Sequence, residues 1–359
     1  MRLAVVGVGL IGGSVGLAAR RRLGAEVHGV DPDAGRALAA GAIDAAHDDL
    51  AGAVEGADAA FVAVPLDAVP ATVAAVLAVA GDSCVVTDVG STKRTVVDAV
   101  DDPRFVGGHP LAGSEAHGVE HARADLFDGA TWYVTPTAGT SGVLLERLHR
   151  LLVALGARPA ALDAGAHDHV MAAVSHLPHV LANVLVAQAA GALGGETPPA
   201  TGPSFRDATR VAGAHPALWA QIYRSNAAAL AAELDAVLDR LGAVREALRA
   251  GDDLEPWQAE AAAERRALLE AGLVGGPVQA LRVAVPNRPG VIAEIALALG
   301  REGINISDMA LSPSPDGSRG EMTLWVAEAR APRAGALVAE LGFVVTPLVR
   351  SPPEGGEPA

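Results

Sequence analysis

Short apolar runs bounded by glycine and proline alternate with longer helical stretches over the first half of the chain. Leu3-Ala4-Val5-Val6, Glu26-Val27-His28-Gly29-Val30, Ala59-Ala60-Phe61-Val62-Ala63-Val64, Cys84-Val85-Val86-Thr87-Asp88 and Thr131-Trp132-Tyr133-Val134-Thr135 are the runs. Continuous apolar segments of this length are expected of parallel strands covered on both faces. Helices are predicted between them, from Gly12 to Gly24, from about Asp67 to Val79 and from about Gly142 to Leu155. The strand Arg158-Pro159-Ala160-Ala161-Leu162 closes the alternation near Asp163. This order predicts an α/β Rossmann-like dinucleotide-binding domain over residues 1–163.

From Ala166 the period becomes helical. Helices are predicted from Ala166 to about Ala190, from Phe205, from Trp219 to Ala250 and from Trp257 to Ala271, with a loop over Gly191 to Pro203. They form an all-α helical domain over 164–273, and its long Ala/Leu faces predict a homodimer made by helix packing. The linker Gly275-Gly276-Pro277 leads to strict alternation from Val278 to Pro286, with Gln279, Leu281, Val283 and Val285 on one face. The order β-α-β-β-α-β follows, a small α+β ferredoxin-like domain over 278–350. The Pro-, Gly- and Glu-rich tail 351–359 is expected to be disordered.

Composition narrows the partners. The chain has 359 residues, only 3% of them aromatic, so its cores must be built from Ala, Val and Leu. A net charge of −15 argues against nucleic acid or an anionic membrane as partner. A local arginine can still bind an anionic substrate, because screening acts over about 8 Å. The single cysteine, Cys84, excludes an intramolecular disulfide and reads as a buried thiol. The N-terminus reads as a strand and no uninterrupted apolar run reaches transmembrane length, so a soluble, cytoplasmic protein is expected.

Chemistry enters at the strand ends. Gly7-Val8-Gly9-Leu10-Ile11-Gly12 follows the first strand and opens a helix, and Asp31 lies 19 positions beyond Gly12. Gly7 makes the turn, Gly9 lets backbone approach a pyrophosphate, and Gly12 permits close helix–strand packing. Phosphate would rest on the helix N-terminus at Leu10 and Ile11, and Asp31 would accept from the adenosine ribose hydroxyls. Asp31-Pro32-Asp33 carries no base for a 2′-phosphate, so NAD is favoured over NADP, although Arg36 lies not far downstream. Val64-Pro65, Asp88 to Ser91 and His109 also fall at carboxyl ends of strands, where open α/β sheets bind ligands. Ser91 has two readings, N-cap of the following helix and substrate contact. Gly107-Gly108-His109-Pro110-Leu111-Ala112-Gly113-Ser114-Glu115 reads as a short polar loop in which His109 handles a proton while a nicotinamide takes a hydride.

In the helical region Asp168, His176 and His179 are spaced to share one face, and Pro178 predicts a kink or a freed carbonyl beside them. His167, His169, His176 and His179 have no recognised metal-ligand spacing, so no metal is expected. Arg206 and Arg210 lie one turn apart, Asp207 can pair with Arg210, and an arginine fork suits a carboxylate.

Taken in order, VGVGLIGGS with Asp31, DVGSTK (88–93), GGHPLAGSE (107–115), HDHVMAAVSHLPH (167–179) and SFRDATRVA (204–212) resemble the prephenate/arogenate dehydrogenase family of tyrosine biosynthesis. The resemblance covers about residues 1 to 270. It implies oxidation of the C4 alcohol of a cyclohexadienol by hydride transfer to NAD⁺, with loss of the ring carboxylate as CO₂. It also implies His109 as base for the hydroxyl, Ser91 bonding the same hydroxyl, and Arg210 binding a substrate carboxylate. His176 and His179 would line the pocket, Glu115 and Asp207 would belong to an ionic gate, and Asp168 would orient its neighbours. VPNRPGVIAEI followed by GINI resembles an ACT domain. That resemblance places an effector, with tyrosine the natural choice, near Asn287, Arg288, Pro289, Gly290 and Val291, at the interface with a partner ACT domain.

Prephenate is preferred as substrate, with arogenate the alternative. A β-hydroxyacid or imine-type dehydrogenase on the same architecture, and a catalytically idle ACT sensor, are the more distant readings.

Overall fold

The computed structural model describes residues 1–113, 117–194, 201–271, 278–286, 288–313 and 319–347. Glu115, Asn287 and the tail 351–359 lie outside the described residues. The chain divides into two compact units, Met1–His167 with Gly276–Ala359, and Asp168–Gly275.

In the first unit eight strands form one sheet. They are β1 (Arg2–Val6), β2 (Glu26–Val30), β3 (Ala45–Ala46), β4 (Ala59–Val62), β5 (Val85–Asp88), β6 (Phe105–Pro110), β7 (Thr131–Thr135) and β8 (Arg158–Ala161). Their order is β3-β2-β1-β4-β5-β6-β7-β8. Pairing is parallel from β3 through β6, antiparallel between β6 and β7, and parallel again between β7 and β8. The strand order reverses at β1, and a crevice outside the carboxyl ends is expected at such a switch point. The period of two is visible in the cores. Leu3 and Val5 pack on one face with Phe61 and Trp132, while Ala4 and Val6 pack on the other with Val62, Val73 and Val86. Each large side chain buried in this way stabilises the fold by about 1.5–3 kcal/mol. The scarce aromatics are concentrated: Phe127 and Phe61 both lie against Trp132, at centroid distances of 4.9 and 6.2 Å. Cys84 is buried just before β5, and burial pushes its thiol up to about 11.

Two sequence expectations change here. Gly107 to Pro110 is strand, not loop, because the antiparallel ladder to β7 continues β6 through His109, opposite Tyr133. The helix after β5 begins at Arg94 rather than Ser91, with no side-chain cap, so the capping reading of Ser91 does not hold.

The C-terminal domain has β9 (Val278–Pro286), a helix Val291–Arg301, β10 (Ile306–Pro313), β11 (Arg319–Ala327), a helix Ala331–Glu340 and β12 (Val344–Pro347). The strands form an antiparallel sheet in the order β10-β11-β9-β12. Leu281, Val283 and Val285 point to its core, while Arg282 on the other face pairs with Glu321 at 2.9 Å. This domain is not merely tethered to the first. A Cβ on Gly300 would collide with the Ala161 carbonyl at the edge strand β8, and one on Gly290 with the Ala138 carbonyl. His149, on the helix Gly142–Ala154, donates from Nε2 to the Ile306 carbonyl at 3.0 Å.

The second unit is helical. Its boundary falls within a helical run, Ala164–Ala192, that is long and apolar enough by length and composition to cross a membrane, which the sequence reading did not single out. Asp168, His176 and His179 interrupt its apolar character. Ala172–His176 winds as a π-helix immediately before Leu177 and Pro178, the local disturbance expected beside proline. The helix predicted from Trp219 to Ala250 is two helices, Pro216–Ser225 and Ala227–Ala250. Asn226 breaks it, at φ −118°. Its amide is buried and donates to the Asp168 carbonyl at 2.7 Å, a contact that local propensity does not report.

Candidate active site

The glycine turn has the form its spacing demands. Gly7 has φ +91° and donates its N–H to the Val30 carbonyl at 2.8 Å, tying the end of β1 to β2. A Cβ there would strike the Ala63 carbonyl, and one on Gly12 would strike the Gly7 carbonyl. Gly9 is different, because a Cβ at that position would meet nothing within 4 Å. The helix Leu10–Leu23 starts with no side-chain cap. Open space at Gly9 and uncapped first-turn amides at Leu10 and Ile11 fit a pyrophosphate. Asp31 accepts from Val8 N–H at 2.7 Å through one oxygen and from Asp33 N–H at 2.8 Å through the other. Each carboxylate oxygen keeps a second acceptor site for a ribose hydroxyl. Arg36 is held by Glu120 at 2.9 Å.

At the ends of β5 and β6 a pair missed by the sequence reading organises the backbone. Asp88 and Lys93 are both fully buried and ion-paired. Asp88 accepts from Gly90 N–H at 2.8 Å and Gly108 N–H at 3.0 Å, and Lys93 donates to the Gly108 carbonyl at 2.7 Å. Half-buried Ser91 follows Gly90, and His109 follows Gly108. Val64 adjoins the glycine turn, its N lying 3.1 Å from a Cβ built on Gly7, and Pro65 follows it. The available signal was compositional: Lys93 is the sole lysine, every other basic side chain among the 27 lysines and arginines being arginine.

His109 is 9% exposed, and its Nδ1 shares a 2.9 Å hydrogen bond with Nε2 of the fully buried His167. His167 packs edge-on to Tyr133 at 5.5 Å, across the ladder from His109. Burial holds the Tyr133 phenol above its ordinary value, so it stays protonated at neutral pH. His167 was visible only as one of several histidines. A neutral imidazole carries one nitrogen that donates and one that accepts.

In the helical unit His176 is buried, and its Nδ1 shares a 3.1 Å bond with the Asn226 amide. His179 stacks on Trp219 at 3.3 Å and helps line a cavity of about 260 Å³ with Asn183, Val211, Trp219 and Tyr223. Asp168 is 4% exposed. Arg206, Asp207 and Arg210 are exposed, and Arg210 starts a 3₁₀ turn after the helix Pro203–Thr209. Among the described residues no ion pair joins Asp207 to Arg210, because the helix ends between them. In the C-terminal domain Arg288 pairs with Glu294, Gly290 has φ +79°, and Val291 is buried. No group of three or more His, Cys, Asp or Glu side chains suited to a metal occurs among the described residues.

Comparison with known proteins agrees along the chain. Residues 15–160 match the family model of the prephenate dehydrogenase nucleotide-binding domain, 163–257 that of the prephenate dehydrogenase dimerization domain, and 280–345 that of the ACT domain. A prephenate dehydrogenase from Bacillus subtilis (strain 168) is 33% identical over 342 residues, covering 86% of this chain and 87% of the relative. The solved structure of prephenate dehydrogenase from A. aeolicus in complex with hydroxyphenyl propionate and NAD⁺ is 27% identical, with a TM-score of 0.68. It covers 75% of this chain and 98% of that one. Synechocystis arogenate dehydrogenase is also 27% identical, with a TM-score of 0.65, covering 75% of this chain and 99% of the other.

Proposed function

The chain belongs to the prephenate dehydrogenase family, and we propose that it converts prephenate to 4-hydroxyphenylpyruvate by NAD-dependent oxidative decarboxylation in tyrosine biosynthesis. The observation that carries this reading is a buried His109, one ring nitrogen bonded to His167, at the carboxyl end of a strand in a dinucleotide-binding sheet. NAD⁺, when bound, supplies the hydride acceptor. Gly7, Gly9, Leu10, Ile11 and Gly12 would hold its phosphates, Asp31 its ribose, and Val64-Pro65 would border it. The engagement of Arg36 by Glu120 favours NAD over NADP.

His109 takes the proton of the C4 hydroxyl at Nε2 as C4 gives up its hydride. The electron pair of the ring-to-carboxylate bond then enters the ring, CO₂ leaves, and the product is aromatic. Ser91 bonds the same hydroxyl and fixes its direction. Arg210 receives a substrate carboxylate, His176 and His179 line the pocket, and Asp168 orients its neighbours. The family resemblance assigns Glu115 and Asp207 to a gate.

The reading assigns three modules, 1–163, 164–273 and 278–350. Exposed Val184, Leu238 and Leu241 (57%, 63% and 56%) belong to the apolar surface through which the helical domain forms a homodimer. Tyrosine is the effector at Arg288 to Val291. The protein is cytoplasmic, and its net charge of −15 turns it away from nucleic acid and anionic membranes.

The test is a comparison of initial rates on prephenate and arogenate, each with NAD⁺ and NADP⁺, repeated with tyrosine added. Turnover of prephenate with NAD⁺ is expected, with tyrosine inhibiting. Faster turnover of arogenate would transfer the assignment to that substrate, inactivity on both would remove it, and indifference to tyrosine would remove only the effector.

A further inference from the structure

We propose that the buried Asp88–Lys93 pair is a positioning device for the reaction, setting Ser91 and His109 through the peptide groups that precede them. The proposal rests on the assignment of His109 and Ser91 to the reacting hydroxyl.

The backbone ladder between β5 and β6 pairs only Val86 with Phe105 and Thr87 with Val106. Beyond it the cross-strand bonding passes to side chains. Asp88 takes Gly108 N–H at 3.0 Å, while Lys93 takes the Gly108 carbonyl at 2.7 Å, so both polar groups of the residue before His109 are held by one ion pair. The same carboxylate takes Gly90 N–H at 2.8 Å, fixing the residue before Ser91. Gly108 leaves no room for drift. A Cβ on it would lie 2.6 Å from the Asp88 carbonyl oxygen, 2.7 Å from Thr87 Oγ1 and 3.0 Å from Trp132 Nε1.

The choice of lysine supports a geometric purpose. A chain that otherwise uses arginine for every basic side chain places its one lysine at 0% exposure. A compact ammonium can direct separate donors to a carboxylate and a carbonyl at an angle, which a planar guanidinium fork does not match. Burying two charges is a poor way to gain stability alone, since well-packed apolar side chains often serve as well. What the pair adds is direction. Among the described bonds, Asp88 reaches Gly90 and Gly108, and Lys93 reaches Gly108 and Asp88.

The experiment uses the full chain carrying Asp88→Asn with Lys93→Met, which removes both charges together. It is followed by prephenate kinetics, NADH titration to count binding-competent sites, and urea unfolding. The expected result is a kcat about 10²-fold lower per binding-competent site, with KM for prephenate and NAD⁺ and the NADH affinity within about twofold of the parent. Parental kcat in the folded double variant overturns the proposal. So does a parallel loss of kcat, cofactor affinity and stability, which is the signature of packing alone. If the double variant does not fold, Lys93→Gln decides in the same way. Its amide keeps a donor toward Gly108, so a kcat loss without a KM change supports the proposal and an unchanged kcat overturns it. His109→Asn is run alongside. Full turnover there overturns the base assignment and this proposal together, whereas loss there with parental kcat in the pair variants overturns this proposal alone.

Discussion

His109 Nδ1 and His167 Nε2 lie 2.9 Å apart in a buried contact, and a bond between two imidazoles, when both are neutral, requires one ring to donate. If His167 donates, His109 carries its proton on Nε2 and has no base to offer. If His109 donates, Nε2 is its basic nitrogen, and the imidazolium formed on proton uptake keeps a strengthened bond to His167. With His109 proposed as the base, the second tautomer pair is the one the reaction would use. His167→Phe, which removes the acceptor while keeping a ring against Tyr133, should lower kcat roughly tenfold or more. Steady-state kinetics check this, and a parental kcat counts against the tautomer assignment.

Kinetic constants should separate the base from the anion receptor. His109→Asn should reduce kcat by about 10² to 10⁴-fold with little change in KM. Arg210→Gln should mainly raise KM for prephenate, because a carboxylate contact is made before and during the reaction. Near-normal turnover in His109→Asn would falsify its assignment as base.

Two glycine-to-alanine changes should behave in opposite ways. Gly108→Ala forces a methyl group against backbone and Thr87, and should destabilise the protein by about 1–3 kcal/mol, read as a lower urea midpoint. At Gly9 a Cβ meets nothing of the protein within 4 Å, so Gly9→Ala should leave the midpoint unchanged and raise KM for NAD⁺.

Stability should fall on mild acidification because of His149. Burial holds its imidazole below the ordinary value of 6.5, against the smaller opposing effects of its bond to Ile306 and of Asp308. Nδ1 is buried without a hydrogen-bond partner. Above 6.5 both folded and unfolded chains are neutral at this site. As the pH drops through 6.5 the unfolded chain binds a proton that the folded one resists, so stability is lost until the lowered folded value is passed. Tm measured across this range should decline with pH, and His149→Gln, which keeps a donor toward Ile306, should flatten the decline. An unchanged slope in the variant would show that other groups govern it.

Local patterns were legible without coordinates because their causes are local. Apolar runs, the spacing from Gly7 to Gly12 and on to Asp31, and the alternation from Val278 to Pro286 each express a backbone period or a turn requirement that a few neighbouring residues satisfy. The Rossmann-like sheet, the helical region and the β-α-β-β-α-β domain follow from them. The motif around His109 was visible too, but its conformation was not. Gly107 to Pro110 is strand because β7, more than twenty residues later, supplies an antiparallel partner.

Tertiary structure alone decided what joins distant segments. Asn226 interrupts a good helical sequence because the Asp168 carbonyl and His176, some fifty residues earlier, accept and share its amide. His149 reaches Ile306 across 157 residues and fastens the C-terminal domain to the first. Lys93 was legible only as the last residue of DVGSTK, and it is buried where Asp88 and the Gly108 carbonyl accept its ammonium. A sequence determines which groups are present and the local shapes they prefer. Which buried donor meets which acceptor depends on packing the whole chain, since a polar group can leave water only where a partner from another segment already stands.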